Sequence, residues 1–554
     1  MVGSRRLLEL HRRLYEANEN RIRELVSTPR RFTRQDLDRY EADLANSIPD
    51  DWKPSTPAAL RAAIRRARVI LVGDYHSLAQ SQKGFVRVLR AIRARHLTVG
   101  LEFVSARYQK AVDDYVAGRI CDETFLRRTE YARSWPSYQV WPNFRPIFEH
   151  ARRRKARVLA LDCPSTECGT VWSRSAFAAY RIAESIRENP SNKVAVLMGE
   201  AHLAPNHLPE ELRRAMDHLG VKASVLVVHQ NLDPLWFELM EKGLQDLVDA
   251  VRLDEDRYVL PVSTPVAAQA SFLAGMAGEE AAEAGDRAAV RREFGRYLKA
   301  LARFIGVGAN GILEGVTVCG PGDLEPVESL RSRLDPDGFQ VILHQVEEGE
   351  SLCLPDLGIV YLAHLGPTHI GEEAAHFLKA RLASGPIPES PVDFLYGRAL
   401  HEALGYFGAK VFNPKRKPPT EILRKSGRRR GSVEEENDAE EMTPELAVAV
   451  HLASWHRAHH WRRNFGPDAF DMHVRAMGLH GGLADLGPEL LGPLVHLLGY
   501  EIGERLWTAF RAGRIPAARV KTLFRANLEA PGVAFSLWHG LASTLRSIRL
   551  PTRF

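Results

Sequence analysis

The sequence predicts an α/β protein with a mostly parallel sheet and flanking helices, followed by a second α/β or mostly helical region and a helical C-terminal domain. Short apolar runs alternate with helical periodicity through the first 230 or so residues, which is the pattern of βαβ units. The runs are continuous and rich in Val, Ile and Leu, as in strands that are buried on both faces. Several of these runs also end in acidic or histidine residues.

The elements of the first half follow in chain order. Leucines at helical spacing predict one or two surface helices in residues 1–55, and Thr56 and Pro57 then predict a helix start. Strands are expected at 69–72, 97–103, 157–163, 193–199 and 223–229, with helices at 58–67, 79–95, within 105–156, at 175–189 and at 208–219. This series predicts an α/β domain over 56–231 with right-handed crossovers.

The second half has a weaker pattern. It is helical at 235–251 and 287–305 and strand-like at 315–319, 340–345 and 359–364. These segments predict a second region at 232–412 whose function the sequence leaves open. Residues 413–443 carry a basic block and then an acidic block with few large apolar residues, which predicts a disordered linker. Residues 444–554 are predicted to form a helical domain.

Composition and charge limit the classes of function. The chain has 554 residues, 45% hydrophobic and 26% charged, which is typical of a soluble globular protein. A formal charge of +6 is small for this length, so a nucleic-acid partner is not expected. Five cysteines without a Cys-x-x-Cys pair indicate no disulfide framework. With no apolar leader and no long apolar run, the sequence predicts a cytoplasmic protein without a transmembrane segment.

Polar residues follow four of the predicted strands at the point where each strand ends. Asp74 and His76 follow the first strand, Glu102 the second, Asp162 the third, and Glu200 and His202 the fourth. The carboxyl ends of parallel strands meet at one edge of a sheet, where α/β folds bind ligands. We therefore expect these side chains to converge on a single crevice.

Two of these strand ends have the form Gly-x-x-His, at 73–76 and 199–202. Glycine allows the chain to turn sharply at the strand end, and the histidine then lies on the first turn beyond the sheet. Two imidazoles and one carboxylate form a set that suits Zn²⁺ or Fe²⁺. His76, Glu102 and His202 are therefore the predicted metal ligands.

The other acidic residues have two interpretations. As catalytic groups, Asp74, Asp162 and Glu200 would orient the ligands or act as a general base. As structural groups, Asp74 and Glu200 would cap the helices that follow them, and the histidines would only form hydrogen bonds. The sequence alone leaves both interpretations open.

A second group of histidines and acids lies in the region after residue 231. His369, Glu372, Glu373 and His376 share one face of a predicted helix, with His364 nearby. They form either a second metal site or a solvated charged face. The sequence has no Gly-x-Ser-x-Gly elbow and no Walker A loop, so it does not favour a serine hydrolase or a P-loop nucleotide site.

At the strand-end residues the chain resembles the ChaN-like branch of the Tiki superfamily. The similarity covers about residues 65–230 and lies in Ile70–His76, Val99–Glu102 with Gln109 and Tyr115 after it, and Leu197–His202 before Pro209. The resemblance implies an α/β fold and a site built from the two Gly-x-x-His motifs and the intervening glutamate. Unlike the lipoprotein members, this sequence shows no signal sequence and no lipid-bearing cysteine.

Three functions remain open at this stage. ChaN-like proteins are associated with haem binding and iron uptake, so the resemblance implies a small-molecule or haem ligand, and Tyr75 and Tyr108 join the histidines as candidate axial ligands. Other superfamily branches are hydrolases, which implies a metal-assisted hydrolase of an ester or amide, with Glu200 or Asp74 as base or His76 as a metal-free base. The third is a non-catalytic scaffold, in which the C-terminal half binds a protein partner or a second copy.

Overall fold

The computed structural model describes residues 2–26, 39, 42–134, 140–164, 168, 170–277, 287–383, 385, 388–416, 443–462 and 465–550. These residues fall into two compact units. One unit, here called the α/β unit, takes in the described residues from 11 to 277; the other, the helical unit, takes in residues 2–10 and 287–550. Nearly all of the predicted linker at 413–443 lies outside the described residues.

An eight-stranded sheet forms the centre of the α/β unit, in the spatial order β1-β7-β8-β6-β2-β5-β3-β4. The strands are β1 Lys53–Ser55, β2 Val69–Asp74, β3 Leu97–Ser105, β4 Arg157–Asp162, β5 Lys193–Gly199, β6 Val225–His229, β7 Ala250–Arg252 and β8 Arg257–Val259. All pairs from β8 across to β4 are parallel, and only β7 pairs antiparallel with its neighbours β1 and β8. The expected mostly parallel sheet is confirmed. It extends on both sides of the expected range 56–231, because β1 and β7–β8 complete one edge.

Helices cover both faces of this sheet. Those described up to residue 277 are α1 Val2–Val26, α2 Pro57–Arg66, α3 Ala79–Ala91, α4 Gln109–Val116, α5 Asp122–Arg128, α6 Tyr131–Ser134, α7 Trp141–Arg153, α8 Val171–Glu188, α9 Leu208–His218, α10 Asp233–Glu241 and α11 Pro265–Ala277. On β2, Ile70 and Val72 join the core under α2, α3 and α7, while Val69 and Leu71 join the core under α8 and α9. This two-sided burial explains why β2 is a continuous apolar run.

One helix is shorter than its periodicity predicts. The pattern at 235–251 indicates a single helix, but α10 ends at Glu241 and β7 begins at Ala250. Gly243 lies just after the helix with φ of +68°, a left-handed conformation that glycine adopts without strain and that stops an α-helix. The prediction of a helix through 251 is therefore wrong.

The helical unit contains the rest of the described chain. Its later helices are α12 Arg287–Ile305, α13 Glu325–Glu328, α14 Pro336–Glu347, α15 Pro367–Leu382, α16 Pro391–Phe412, α17 Pro444–His459, α18 Ala469–Ala476, α19 Pro488–Arg511, α20 Ala517–Arg525 and α21 Val533–Leu545. A three-stranded sheet of β9 Thr317–Cys319, β10 Leu352–Leu354 and β11 Ile359–Tyr361 accompanies them. No helix in the described part of the chain is long and apolar enough to cross a membrane.

Two other expectations for the chain are corrected. Residues 340–345 were expected to be a strand, yet they lie inside α14, because Pro336 starts that helix and the Asp335 carboxylate caps it by accepting from the Gly338 N–H at 2.8 Å. The sequence also indicated no disulfide framework, whereas the structure joins Cys163 to Cys168, directly after β4.

Candidate functional site

The ends of three neighbouring strands bring His76, Glu102 and His202 into contact. The Nε2 atom of His202 lies 3.2 Å from Glu102 Oε1, and Nε2 of His76 lies 3.7 Å from Glu102 Oε2. His76 and His202 follow β2 and β5, and Glu102 lies in β3 directly after Leu101, the last residue of β3 that pairs with β5. The three strands are adjacent in the order β2-β5-β3. Because the strands are parallel, their carboxyl ends lie at the same edge, and Glu102 is placed between the two imidazoles.

Gly199 makes this close approach possible. Its N–H donates to Glu102 Oε2 at 2.6 Å. A Cβ atom at this position would lie 3.2 Å from Glu102 Oε2, which is tighter than most real Cβ contacts, and 3.5 Å from His76 Nε2, an ordinary van der Waals distance. A single 3₁₀ turn, Glu200–Leu203, follows directly and carries His202. The Gly-x-x-His motif therefore serves to bring backbone and imidazole against one buried carboxylate.

His76 is held by Asp74 and reaches the surface. The Asp74 Oδ2 atom is 2.7 Å from His76 Nδ1, and Gln82 donates to the other Asp74 oxygen at 2.5 Å. The His76 side chain is 32% exposed, whereas Asp74 is 1% and His202 3% exposed. Of the two histidines of the motifs, His76 is thus the one that a ligand in solvent can contact.

Two residues of α8 complete the site, and both were missed by the sequence analysis. Arg174 Nη2 donates to Glu102 Oε1 at 2.6 Å and to Asp162 Oδ1 at 2.8 Å. Ser175 Oγ lies 2.8 Å from His202 Nδ1. Both sit in the first turns of a helix whose start is fixed by a capping box at Thr170. The start of this helix can be recognised from the sequence, but the direction in which its side chains point cannot.

The electrostatics of the carboxylates follow from burial and from Arg174. Burial on its own raises the pKa of Glu102, but His202 and Arg174 together hold that pKa well below its usual range. Burial also raises the pKa of Asp162, and the smaller opposing effect of Arg174 does not cancel it. Glu102 is therefore the ionised carboxylate of the site, while Asp162 takes up a proton more readily than an ordinary aspartate does.

The Asp74–His76 pair is shifted in a different way. Burial raises the pKa of Asp74, against the lowering effect of its hydrogen bond with His76. For His76, burial lowers the pKa, but the hydrogen bond with Asp74 and the charges of Asp74 and Glu102 raise it further, so the net pKa lies above its ordinary value. The imidazole consequently holds its proton to higher pH than a free histidine.

Glu200 lies away from this group. Its Oε1 atom is 2.7 Å from His229 Nδ1, and its Oε2 atom accepts from the Gln230 N–H at 3.2 Å. Glu200 packs on Gly73, where a Cβ atom would come within 2.0 Å of Glu200 Oε2. Of the predicted catalytic acids, the structure therefore brings Asp74 and Asp162 to the site and turns Glu200 towards the end of β6.

Of the two candidate tyrosines, Tyr75 lies directly after β2 and Tyr108 ends the 3₁₀ turn Ala106–Tyr108 that follows β3. Tyr75 is half-buried between Asp74 and His76, and its carbonyl accepts from the Leu78 N–H at 2.7 Å. Tyr108 is also half-buried and packs against the core of the sheet, with the Arg107 guanidinium 4.5 Å from its ring centre.

In the second cluster, in the helical unit, Glu372 and Glu373 are buried and His376 is half-buried, whereas His364 and His369 are exposed. Glu372 accepts from Tyr500 at 2.7 Å and pairs with Arg416 at 2.8 Å, while His376 lies 3.5 Å from Glu373 and 4.0 Å from Glu402. The solvated face considered from the sequence is therefore wrong for the two glutamates, which are buried and paired. Among the residues that the structure describes, no three His, Cys, Asp or Glu side chains are arranged to hold a metal ion, here or at the strand ends.

Comparison with known proteins shows which family part of this chain resembles. Residues 60–177 match the family model described as haem-binding uptake, Tiki superfamily, ChaN. A solved structure described as "Cofacial heme binding to ChaN of Campylobacter jejuni" is similar, with 16% identity over 38% of this chain and 92% of that chain and a TM-score of 0.25. No curated protein matches the chain. Residues 60–177 are thus similar to the ChaN family of the Tiki superfamily, as the motifs predicted.

Proposed function

We propose that the site formed by His76, Glu102 and His202 binds haem, with the His76 imidazole as an axial ligand. The observation that carries this proposal is the exposed His76 side chain with its Nδ1 atom held by the buried Asp74. A carboxylate on the far nitrogen fixes the ring orientation and makes the other nitrogen a stronger ligand. The match of residues 60–177 to a haem-binding family model supports the same ligand.

The donor set fits haem iron better than it fits a divalent ion held by His76, Glu102 and His202. An axial haem ligand requires one accessible imidazole or phenol, and Tyr75 beside His76 and Tyr108 after β3 are further candidates. A divalent ion would need Glu102, whose Oε1 atom already accepts from Arg174 and whose Oε2 atom accepts from the Gly199 N–H. The guanidinium and the metal ion would compete for the same carboxylate.

A second function, metal-free hydrolysis of an ester or amide, is favoured by the same Asp74–His76 pair. An exposed imidazole oriented by a buried carboxylate is the arrangement of a general base that activates water. Asp162, whose pKa burial raises, is 30% exposed and would donate a proton to the leaving group. Glu200 has no part in this version, because it faces His229.

One experiment separates these functions. Wild type, His76→Ala and the surface control His218→Ala are titrated with haemin and assayed with a chromogenic ester. If His76 is an axial ligand, the wild type and the control show the Soret band of bound haem and His76→Ala loses it. Ester turnover that disappears in His76→Ala would instead establish the hydrolase. Equal haem spectra and no turnover in all three proteins would refute both functions.

The pKa shift of His76 predicts how haem binding depends on pH. Iron binds the neutral imidazole, so binding should strengthen as pH rises through the pKa of His76, which lies above the ordinary value of 6.5. Asp74→Asn removes the carboxylate that raises this pKa, and we expect the midpoint of the haem-binding pH profile to fall by on the order of one pH unit. Spectroscopic titrations of both proteins at a series of pH values measure it. An unchanged midpoint would show that Asp74 does not control His76.

A further inference from the structure

We propose that Arg174 is the resident cation of this site: its guanidinium stands where a divalent metal ion would otherwise bind, and it makes the site independent of metal. This inference goes beyond the proposed function, because it concerns how the carboxylates are neutralised and not which ligand occupies the crevice. It holds equally for a haem-binding or a hydrolytic site.

The position of one nitrogen atom carries the proposal. Arg174 Nη2 lies 2.6 Å from Glu102 Oε1 and 2.8 Å from Asp162 Oδ1. The same Glu102 oxygen is 3.2 Å from His202 Nε2. One nitrogen of the guanidinium therefore contacts carboxylate oxygens of two residues, and the His202 imidazole faces the same Glu102 oxygen. These are donor types that bind Zn²⁺ or Fe²⁺ when no other cation is present.

Burial explains why a cation is required at this point. The side chain of Glu102 is 4% exposed and that of Asp162 is 30% exposed, so neither charge is fully screened by water. An ionised carboxylate that is buried without a partner is strongly destabilising. Either a metal ion or a basic side chain meets this requirement, and this chain supplies the side chain.

The first turn of α8 fixes the position of Arg174. Thr170 and Ser173 form a capping box that fixes the first turn of α8, and Arg174 follows directly. The neighbouring Ser175 contacts His202, the imidazole that faces Glu102, so a second side chain of α8 is joined to the site. The side chain itself is 27% exposed. Arg174 is thus a fixed part of the site rather than a mobile surface group.

The test is whether removing Arg174 creates a metal site. Wild type, Arg174→Ala, Arg174→Ala/His202→Ala and the control Arg187→Ala, an exposed arginine on the same helix, are prepared free of metal and titrated with Co²⁺. Binding is read from the visible d–d absorption and from metal content after dialysis. We expect Arg174→Ala to bind Co²⁺ at one equivalent and more than about tenfold tighter than wild type. The double variant and the control should bind as weakly as wild type.

Two results would overturn the proposal. The first is wild-type protein that binds Co²⁺ as tightly as Arg174→Ala; the second is a folded Arg174→Ala protein that binds no metal. If Arg174→Ala is poorly folded alone, its thermal unfolding is measured with Zn²⁺. A rise in unfolding temperature that wild type and Arg174→Ala/His202→Ala do not show supports the proposal, and no rise refutes it. Haem spectra are not a readout, so the outcome is separate from that of the haem proposal.

Discussion

Glu102→Ala is expected to lower the free energy of unfolding of the α/β unit by about 3–5 kcal/mol. The Glu102 side chain is 4% exposed and accepts from Arg174 at 2.6 Å and from the Gly199 N–H at 2.6 Å. Its loss leaves a guanidinium and a backbone N–H without their buried acceptor, and it also removes the partner of His202. Denaturant unfolding monitored by circular dichroism measures the change.

Two further variants identify the cause of this loss. Glu102→Gln keeps an acceptor of the same shape without the charge, so it should cost less than Glu102→Ala. In Glu102→Ala/Arg174→Ala the guanidinium that lost Glu102 is also gone, and the combined loss should be smaller than the sum of the two single losses. A loss below about 1 kcal/mol for Glu102→Ala, the range of an exposed ion pair, would contradict the burial and pairing described for this carboxylate.

Lys410→Ala is expected to have an effect of similar size in the helical unit, again about 3–5 kcal/mol. Lys410 in α16 is fully buried, and its Nζ atom lies 3.0 Å from Glu504 Oε2 in α19. Tyr406 donates to the same oxygen at 2.6 Å, which alone does not neutralise the buried carboxylate. The unfolding transition of the helical unit, followed by calorimetry, measures the loss.

The paired replacement is the control for this ion pair. Lys410→Met/Glu504→Leu removes both charges and fills the space with apolar groups, so it should recover most of the stability lost in Lys410→Ala. If the double variant were as unstable as the single one, the loss would come from packing rather than from an uncompensated charge. The result therefore shows whether this ion pair joins α16 to α19 by charge or by shape.

Part of the site could be predicted from the sequence because it depends on strand ends. Strands buried on both faces are continuous apolar runs, so their ends are visible as the first polar residues after each run. Glu102 follows the apolar run of β3, His76 and His202 lie just beyond the ends of β2 and β5, and parallel strands place these points at one edge. The proximity of these three residues thus follows from a pattern that is local in sequence and a rule about sheets.

Other parts required the tertiary structure. Glu200 and His202 lie two residues apart in one 3₁₀ turn, yet Glu200 contacts His229 and His202 contacts Glu102. The direction of a side chain on such a turn depends on what packs around it, which sequence spacing does not record. In the sequence, nothing distinguishes Arg174 from an ordinary surface arginine of a helix. Only the docking of α8 against β4 and β5 shows that it lies between two carboxylates.

The amino-acid sequence by itself determined the parallel sheet, the resemblance to the ChaN-like region and the strand ends that carry the site, because hydrophobic periodicity and glycine turns are local properties. The tertiary structure alone decided which charges meet, because ion pairs join residues far apart in the chain: Glu102 and Arg174 are 72 positions apart. Whether the strand ends hold a metal ion or a guanidinium depends on that long-range contact, since a buried carboxylate takes the cation that the fold places next to it.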